Sequence, residues 1–157
     1  MKSYQDKLTK FLSSSPLRLP TKHVAIMFKE FVTLFLKGKR VETRFTKTRC
    51  PPFGKVTKGD IVYLKEVGGP IRARALVNEV YYFYSLTPQK VKELKSWVKS
   101  LENITYGEEY GSEFSKYATI IFLENIEKVE PPLIIKTTTR AGWIVIKPGH
   151  ELYEVLP

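Results

Sequence analysis

The sequence predicts an α+β protein: a small, closed or nearly closed β-barrel of about six mostly antiparallel strands, with two or three helices packed outside it. Two observations carry this. Helical apolar spacing alternates with half a dozen stretches of strand-like alternation or short apolar runs, and Gly, Pro and Asp punctuate the boundaries. The 157 residues suffice for one domain, and 43% hydrophobic with 13% aromatic residues is too apolar for a disordered chain.

Taken in order, "YQDKLTKFL" spaces Tyr4, Leu8, Phe11 and Leu12 as a helix does, and "SSSPLRLP" ends it. Residues 1–20 are therefore expected to be an N-terminal helix and linker, and 21–157 the domain. "HVAIMF" reads as a short buried strand. "KEFVTLFLKG" follows as a helix whose core stripe is Phe28, Phe31, Val32, Phe35 and Leu36, with Gly38 as its C-terminal cap. From Val41 the period becomes two. Val41, Thr43 and Phe45 then face one way, and Glu42 and Arg44 the other.

"KGDIVYLKEV" is a strand after a Gly-Asp turn, "GGP" reverses the chain, and "IRARALVNEVYYFYSL" is long enough to need a bend or bulge. Three strands in succession suggest an antiparallel meander. "TPQKVKELKSWVKSL" is a cover helix capped by Thr87, with Pro88 in its first turn and Val91, Leu94, Val98 and Leu101 as its apolar stripe. "ENITYGEEYGSEF" reads as a loop, and "ATIIFLENIEKVE" and "GWIVIKP" return to strand.

Charge narrows the function classes. Lys plus Arg is 26 against 16 Asp plus Glu, a net +10, which favours a polyanionic partner. Residues 37–58 hold eight bases and the single acid Glu42, whereas 102–130 hold seven glutamates and two lysines. A thermophile-like Lys/Glu surface accounts for many charges but not for their segregation; a basic strip on one side of the molecule does. Tyr81, Tyr82, Phe83 and Tyr84 are expected to be mostly core, with one ring free to stack on a base.

Other chemistry finds little support. There is one cysteine, Cys50, so no internal disulfide and no cysteine-based zinc cluster. The phosphate-binding glycine loop is missing and "VGGP" is too short for a dinucleotide fingerprint, so no cofactor is expected. His23 and His150 sit in no catalytic elbow or metal-ligand spacing. The charged N-terminus is unlike a signal peptide, and no window nears ~18 apolar residues, so the expectation is a cytoplasmic protein without a membrane partner. The sequon at Asn103 is then idle.

Helix, "GKRVETR", basic turn, "KGDIVYL", a strand ending in aromatics and the closing "TRAGWIVI" together resemble the ASCH domain, the activating signal cointegrator homology family of the PUA-like barrels, from about Thr21 to Lys147. Lys39, Glu42 and Arg44 match that family's K-x-x-E-x-R, with the glycine displaced by one to Gly38, and Arg140 and Trp143 enter its final strand. The resemblance implies a PUA-like fold and a cleft lined by the motif and suited to single-stranded RNA or a nucleoside. Members differ: some are similar to amidohydrolases of acetylated cytidine, some are described as ribonucleases, and others serve as binding modules.

Read from the residues, Lys39 and Arg44 bracket Glu42, and the oriented guanidinium grips phosphate or a base edge. Arg40, Lys47 and Arg49 flank the motif, Arg72 and Arg74 share a strand face that extends the strip, and Trp143, beside Arg140, is expected in the core, with a cleft-wall or base-stacking role as the alternative. The alternative for Lys39, Glu42 and Arg44 is a salt-bridge network pinning helix to strand. In the amidohydrolase branch a threonine fills the acid's position, and Thr43 cannot replace it from the opposite face. Lys39 is thus the one candidate catalytic residue, as a base in a weak RNA-directed hydrolase. A nucleic-acid-binding module for single-stranded RNA is favoured over hydrolysis.

Overall fold

In the computed structural model, which describes residues 18–102, 111–137 and 140–157, six strands form one sheet in the order β2-β5-β4-β3-β1-β6. The strands are β1 (Lys22–Met27), β2 (Val41–Thr46), β3 (Ile61–Glu66), β4 (Ile71–Phe83), β5 (Tyr117–Leu133) and β6 (Trp143–Ile146). Two helices accompany them, α1 (Lys29–Leu36) and α2 (Pro88–Leu101). All neighbours are antiparallel except β1 and β3. The sheet curls into a half-barrel, an α+β fold. The expected N-terminal helix and the Asn103 sequon lie outside the described residues.

The curl has a local cause. β4 and β5 stay paired over their lengths by shifting register three times, and the Arg74/Leu76 shift coincides with Asn125 at φ 51°. Each shift inserts unpaired residues that bend and twist the ribbon. Side chains that share a register share a face, so Ile121, Val62, Ala25 and Trp143 mark the concave side. There the main core forms from Ala25, Val62, Leu64, Ala73, Ile121 and Trp143, closed by Val32 and Phe35 of α1. Fully buried aliphatic side chains of this kind contribute about 1.5–3 kcal/mol each.

The convex side has two covers. α2 lays Val91, Leu94 and Val98 on Val41, Phe45, Ala118 and Ile120. The C-terminal segment lays Leu152, Tyr153 and Leu156 on Val24, Tyr63 and Ile146, held by the Lys22 ammonium donating to the carbonyls of Tyr153 (2.6 Å) and Leu156 (2.7 Å). α2 begins as its sequence requires: the Thr87 side chain accepts from the Lys90 N–H, and Pro88 follows the cap.

Four expectations need correction. The meander does not form: β3 and β4 make a hairpin, but β2 pairs with β5, 71 residues or more along the chain, because its apolar face fits beneath α2. Phe28 is not core; it caps α1 in extended conformation and is 53% exposed. Leu101 likewise ends α2 in solvent. Of the aromatic run, Tyr82 and Phe83 are half-buried whereas Tyr81 and Tyr84 are exposed.

Candidate nucleic-acid interface

β2 and β6 are the two sheet edges, and the half-barrel's seam lies between them. Glu42 registers with Ile121 and Arg44 with Thr119, so both point to the concave side, as their parity requires. Arg44 Nε donates to Glu42 Oε1 at 3.1 Å. Its Nη1 donates to the Gly142 carbonyl (3.2 Å) and its Nη2 to the Ile26 carbonyl (3.1 Å). The guanidinium also lies over the Trp143 ring, 5.3 Å from its centroid. One side chain of β2 therefore bridges to β1 and to the entrance of β6. Gly142 leaves room for this approach: a Cβ there would lie 3.0 Å from Nη1, so the guanidinium would have to give by a few tenths of an ångström.

Trp143 is fixed from beneath. Its indole N–H donates to His23 Nδ1 at 3.0 Å, and His23 Nε2 meets Asp60 Oδ2 at 2.9 Å. Because Nδ1 accepts, the proton sits on Nε2 and is donated to the carboxylate. Asp60 also accepts from the Thr57 and Thr21 N–H groups. The aspartate of "KGD" is thus a buried organiser of the barrel floor. Beside it the Tyr82 hydroxyl bonds the Val56 main chain, and Phe53 packs edge-on against Tyr82 and Tyr117. Burial pushes the Tyr82 phenol above its usual range and Asp60 adds to this, while the bond to the Val56 carbonyl opposes it.

Lys39 does not join Glu42. α1 ends in a Schellman turn: Gly38, at φ 128°, donates to the Phe35 carbonyl and Lys39 N–H to the Leu34 carbonyl. This turns the Lys39 side chain inward over the Phe35 ring (4.7 Å), where Nζ bonds the Val41 carbonyl and lies 3.4 Å from Glu102 Oε1. Glu102, at the end of α2, also accepts from Val41 N–H (2.8 Å) and Arg40 N–H (3.2 Å). The expected trio divides into two pairs, because a carboxylate distant in sequence reaches the lysine first.

The remaining candidates divide as clearly. Arg40, Lys47, Arg49 and Arg140 are exposed, and Arg49 lies over the Phe53 ring at 5.2 Å. Arg72 is paired with Glu66, and Arg74 donates to Glu127 at 2.8 Å. Their charges are balanced in place, so they do not extend an unpaired strip. Trp143 is core, 4% exposed, and presents its ring to Arg44. Sequence reasoning missed Glu102, His23 and Asp60; the available signals were a histidine inside an apolar strand and an acid directly after a helix.

No family model matches the sequence, and no curated protein matches it. Solved structures do. A serine-to-alanine variant of the ASCH protein of Zymomonas mobilis aligns with TM-score 0.58 at 14% identity, covering 85% of this chain and 94% of that one. A tyrosine-to-phenylalanine variant aligns at TM-score 0.50 and 15% identity, covering 73% and 76%. The unsubstituted protein aligns at TM-score 0.50 and 15% identity, covering 72% and 73%. A likeness at such identity is one of backbone: this chain has the fold of the ASCH proteins.

Proposed function

We propose that the protein is a binding module for single-stranded RNA, engaging phosphates along β2 and its flanking turns and presenting the seam to the bases. One observation carries this reading. Lys37, Arg40, Lys47, Arg49, Lys55 and Lys58 are all exposed, and none is within ion-pair distance of a carboxylate among the described residues. Unpaired cations gathered at both ends of one edge strand are what a phosphate backbone neutralises with release of its counterions. The fold agrees with such a role but does not select it.

Among the described residues the hydrolytic alternative finds no nucleophile and base in contact. Among the described residues Lys39 Nζ donates to the Val41 carbonyl, faces Glu102 Oε1 and lies over the Phe35 ring, contacts that favour the amine as a donor over a base. Thr43 registers with Ile120 on the α2 side, away from Glu42. The test is to incubate the purified protein with end-labelled single-stranded RNA and, separately, with acetylated cytidine. Retention of intact RNA without turnover of either compound is expected; cleavage or deacetylation that tracks Lys39 would overturn the reading.

A further inference from the structure

At the flank of α2, on the convex side, the molecule carries a patch of the opposite sign to the basic strip. Three rings from three elements meet there, Tyr81 of β4, Trp97 of α2 and Phe122 of β5. Tyr81 and Phe122 have centroids 5.8 Å apart with planes crossing at 83°, Trp97 and Phe122 6.0 Å at 64°, and Tyr81 and Trp97 6.3 Å at 84°. Phe122 is half-buried, but Tyr81 and Trp97 are 42% and 39% exposed, so a partner can reach both. The rim is acidic. Glu79 registers with Phe122 and accepts from the Tyr81 hydroxyl at 2.7 Å, Glu124 follows Phe122 by two on the same strand face, and Glu93 precedes Trp97 by one helical turn. All three acids are exposed, and none is in an ion pair among the described residues. The cation of α2 on that side, Lys90, lies two turns before Trp97, about 10 Å along the axis. In a chain of net charge +10, three unpaired carboxylates around exposed rings reverse the local sign.

Such a face is unsuited to RNA, because its carboxylates repel phosphates even where a ring could stack on a base. It suits a cation with an apolar stem. The face of an aromatic ring is negative and attracts an ammonium or guanidinium within about 6 Å, and rings set near right angles can turn more than one face on the same cation. We infer that this corner is a docking site for a basic segment of a partner protein, one lysine or arginine of which lies over the Trp97 and Tyr81 rings with its charge beside Glu79. The stem of that side chain covers the rings while its head meets the carboxylate. The acids come from three elements, so a single small cation does not neutralise them all, whereas a segment with several bases does. The site is separate from the strip around β2, and its occupation does not depend on RNA.

The experiment is an anisotropy titration of a labelled oligoarginine peptide with the RNA-free protein at physiological salt. Saturable binding is expected in spite of the protein's own positive charge. Trp97→Ala should weaken it about fivefold, the effect of losing one cation–π contact. Glu79→Gln removes the charge but still accepts from the Tyr81 hydroxyl, and should weaken it about twofold. Glu151→Gln, at an exposed acid of the C-terminal segment, should leave peptide affinity unchanged, and Trp97→Ala should leave affinity for single-stranded RNA unchanged. Should the Trp97 variant fail to fold, the Glu79 variant decides, since that position is exposed. Absence of peptide binding, or unchanged affinity in Glu79→Gln or in folded Trp97→Ala, would overturn the inference. So would loss of RNA affinity in folded Trp97→Ala, which would make the corner a base-stacking surface. Self-association of the unaltered protein that Trp97→Ala abolishes would seat a second copy there instead, and overturn it too. Peptide and RNA are titrated separately, so this inference and the RNA-binding reading can each fail alone.

Discussion

Two acid–base pairs meet the same short strand, and they are built for different ends. At the start of β2, Lys39 and Glu102 are almost closed from solvent, 7% and 4% exposed, and their atoms are spent on main-chain groups of residues 40 and 41. This pair finishes the free edge of β2, where unpaired N–H and C=O groups would otherwise invite another strand. Further along, Glu42 and Arg44 are more open and, among the described residues, keep one carboxylate oxygen and two N–H groups without a hydrogen bond. The same chemistry serves the fold where its donors and acceptors are turned to the main chain, and stays open to other partners where some are left over. The motif residues therefore do not form one site: Lys39 holds the edge while Glu42 and Arg44 hold the seam.

The comparison breaks most visibly at Glu102. Glu102→Ala leaves a buried ammonium without its carboxylate and two main-chain N–H groups without acceptors, which should cost about 3 kcal/mol of stability or more. A denaturant midpoint at constant slope measures it, and a loss below about 1 kcal/mol would mean that the edge is not held by this pair. Arg44→Ala removes three hydrogen bonds across the seam and should cost about 2 kcal/mol. Unlike Glu102→Ala, it should also weaken RNA binding under conditions where the variant is fully folded. Equal affinity of that folded variant would separate the seam from recognition. Trp143→Phe keeps an aromatic ring beneath Arg44 but leaves His23 Nδ1 buried without its donor, so about 1 to 2 kcal/mol should be lost with little change in affinity.

Much of this architecture was legible. Strand parity placed Glu42 and Arg44 on one face, and the length of the β4 segment required its bulges. Thr87-Pro88 marked the start of α2, and Gly38 the end of α1. What the sequence could not carry was pairing across distance. Glu102 lies 63 residues from Lys39, and Trp143 lies 120 from His23. Nothing local in "GKRVETR" tells which carboxylate reaches the lysine. The mistaken meander has the same origin: a two-residue period fixes the faces of β2 but not its partner, which the apolar match to α2 and β5 decides.

Whether the exposed bases around β2 bind a phosphate backbone is tested most directly by the salt dependence of affinity for single-stranded RNA. Each phosphate neutralised on a single strand contributes a slope of about −0.7 in log affinity against log salt, so engagement of about four cations predicts a slope near −3. The double substitution Lys47→Ala with Arg49→Ala should lower the magnitude of that slope by about 1.4 with little change in the denaturant midpoint, since both residues are exposed and outside every ion pair among the described residues, and only the Arg49 contact with the Phe53 ring is lost. Lys92→Ala, on the exposed face of α2, should alter neither. A slope near zero, or an equal loss in the Lys92 variant, would contradict the account, because the positive charge would then be a diffuse property of the surface and not a binding strip.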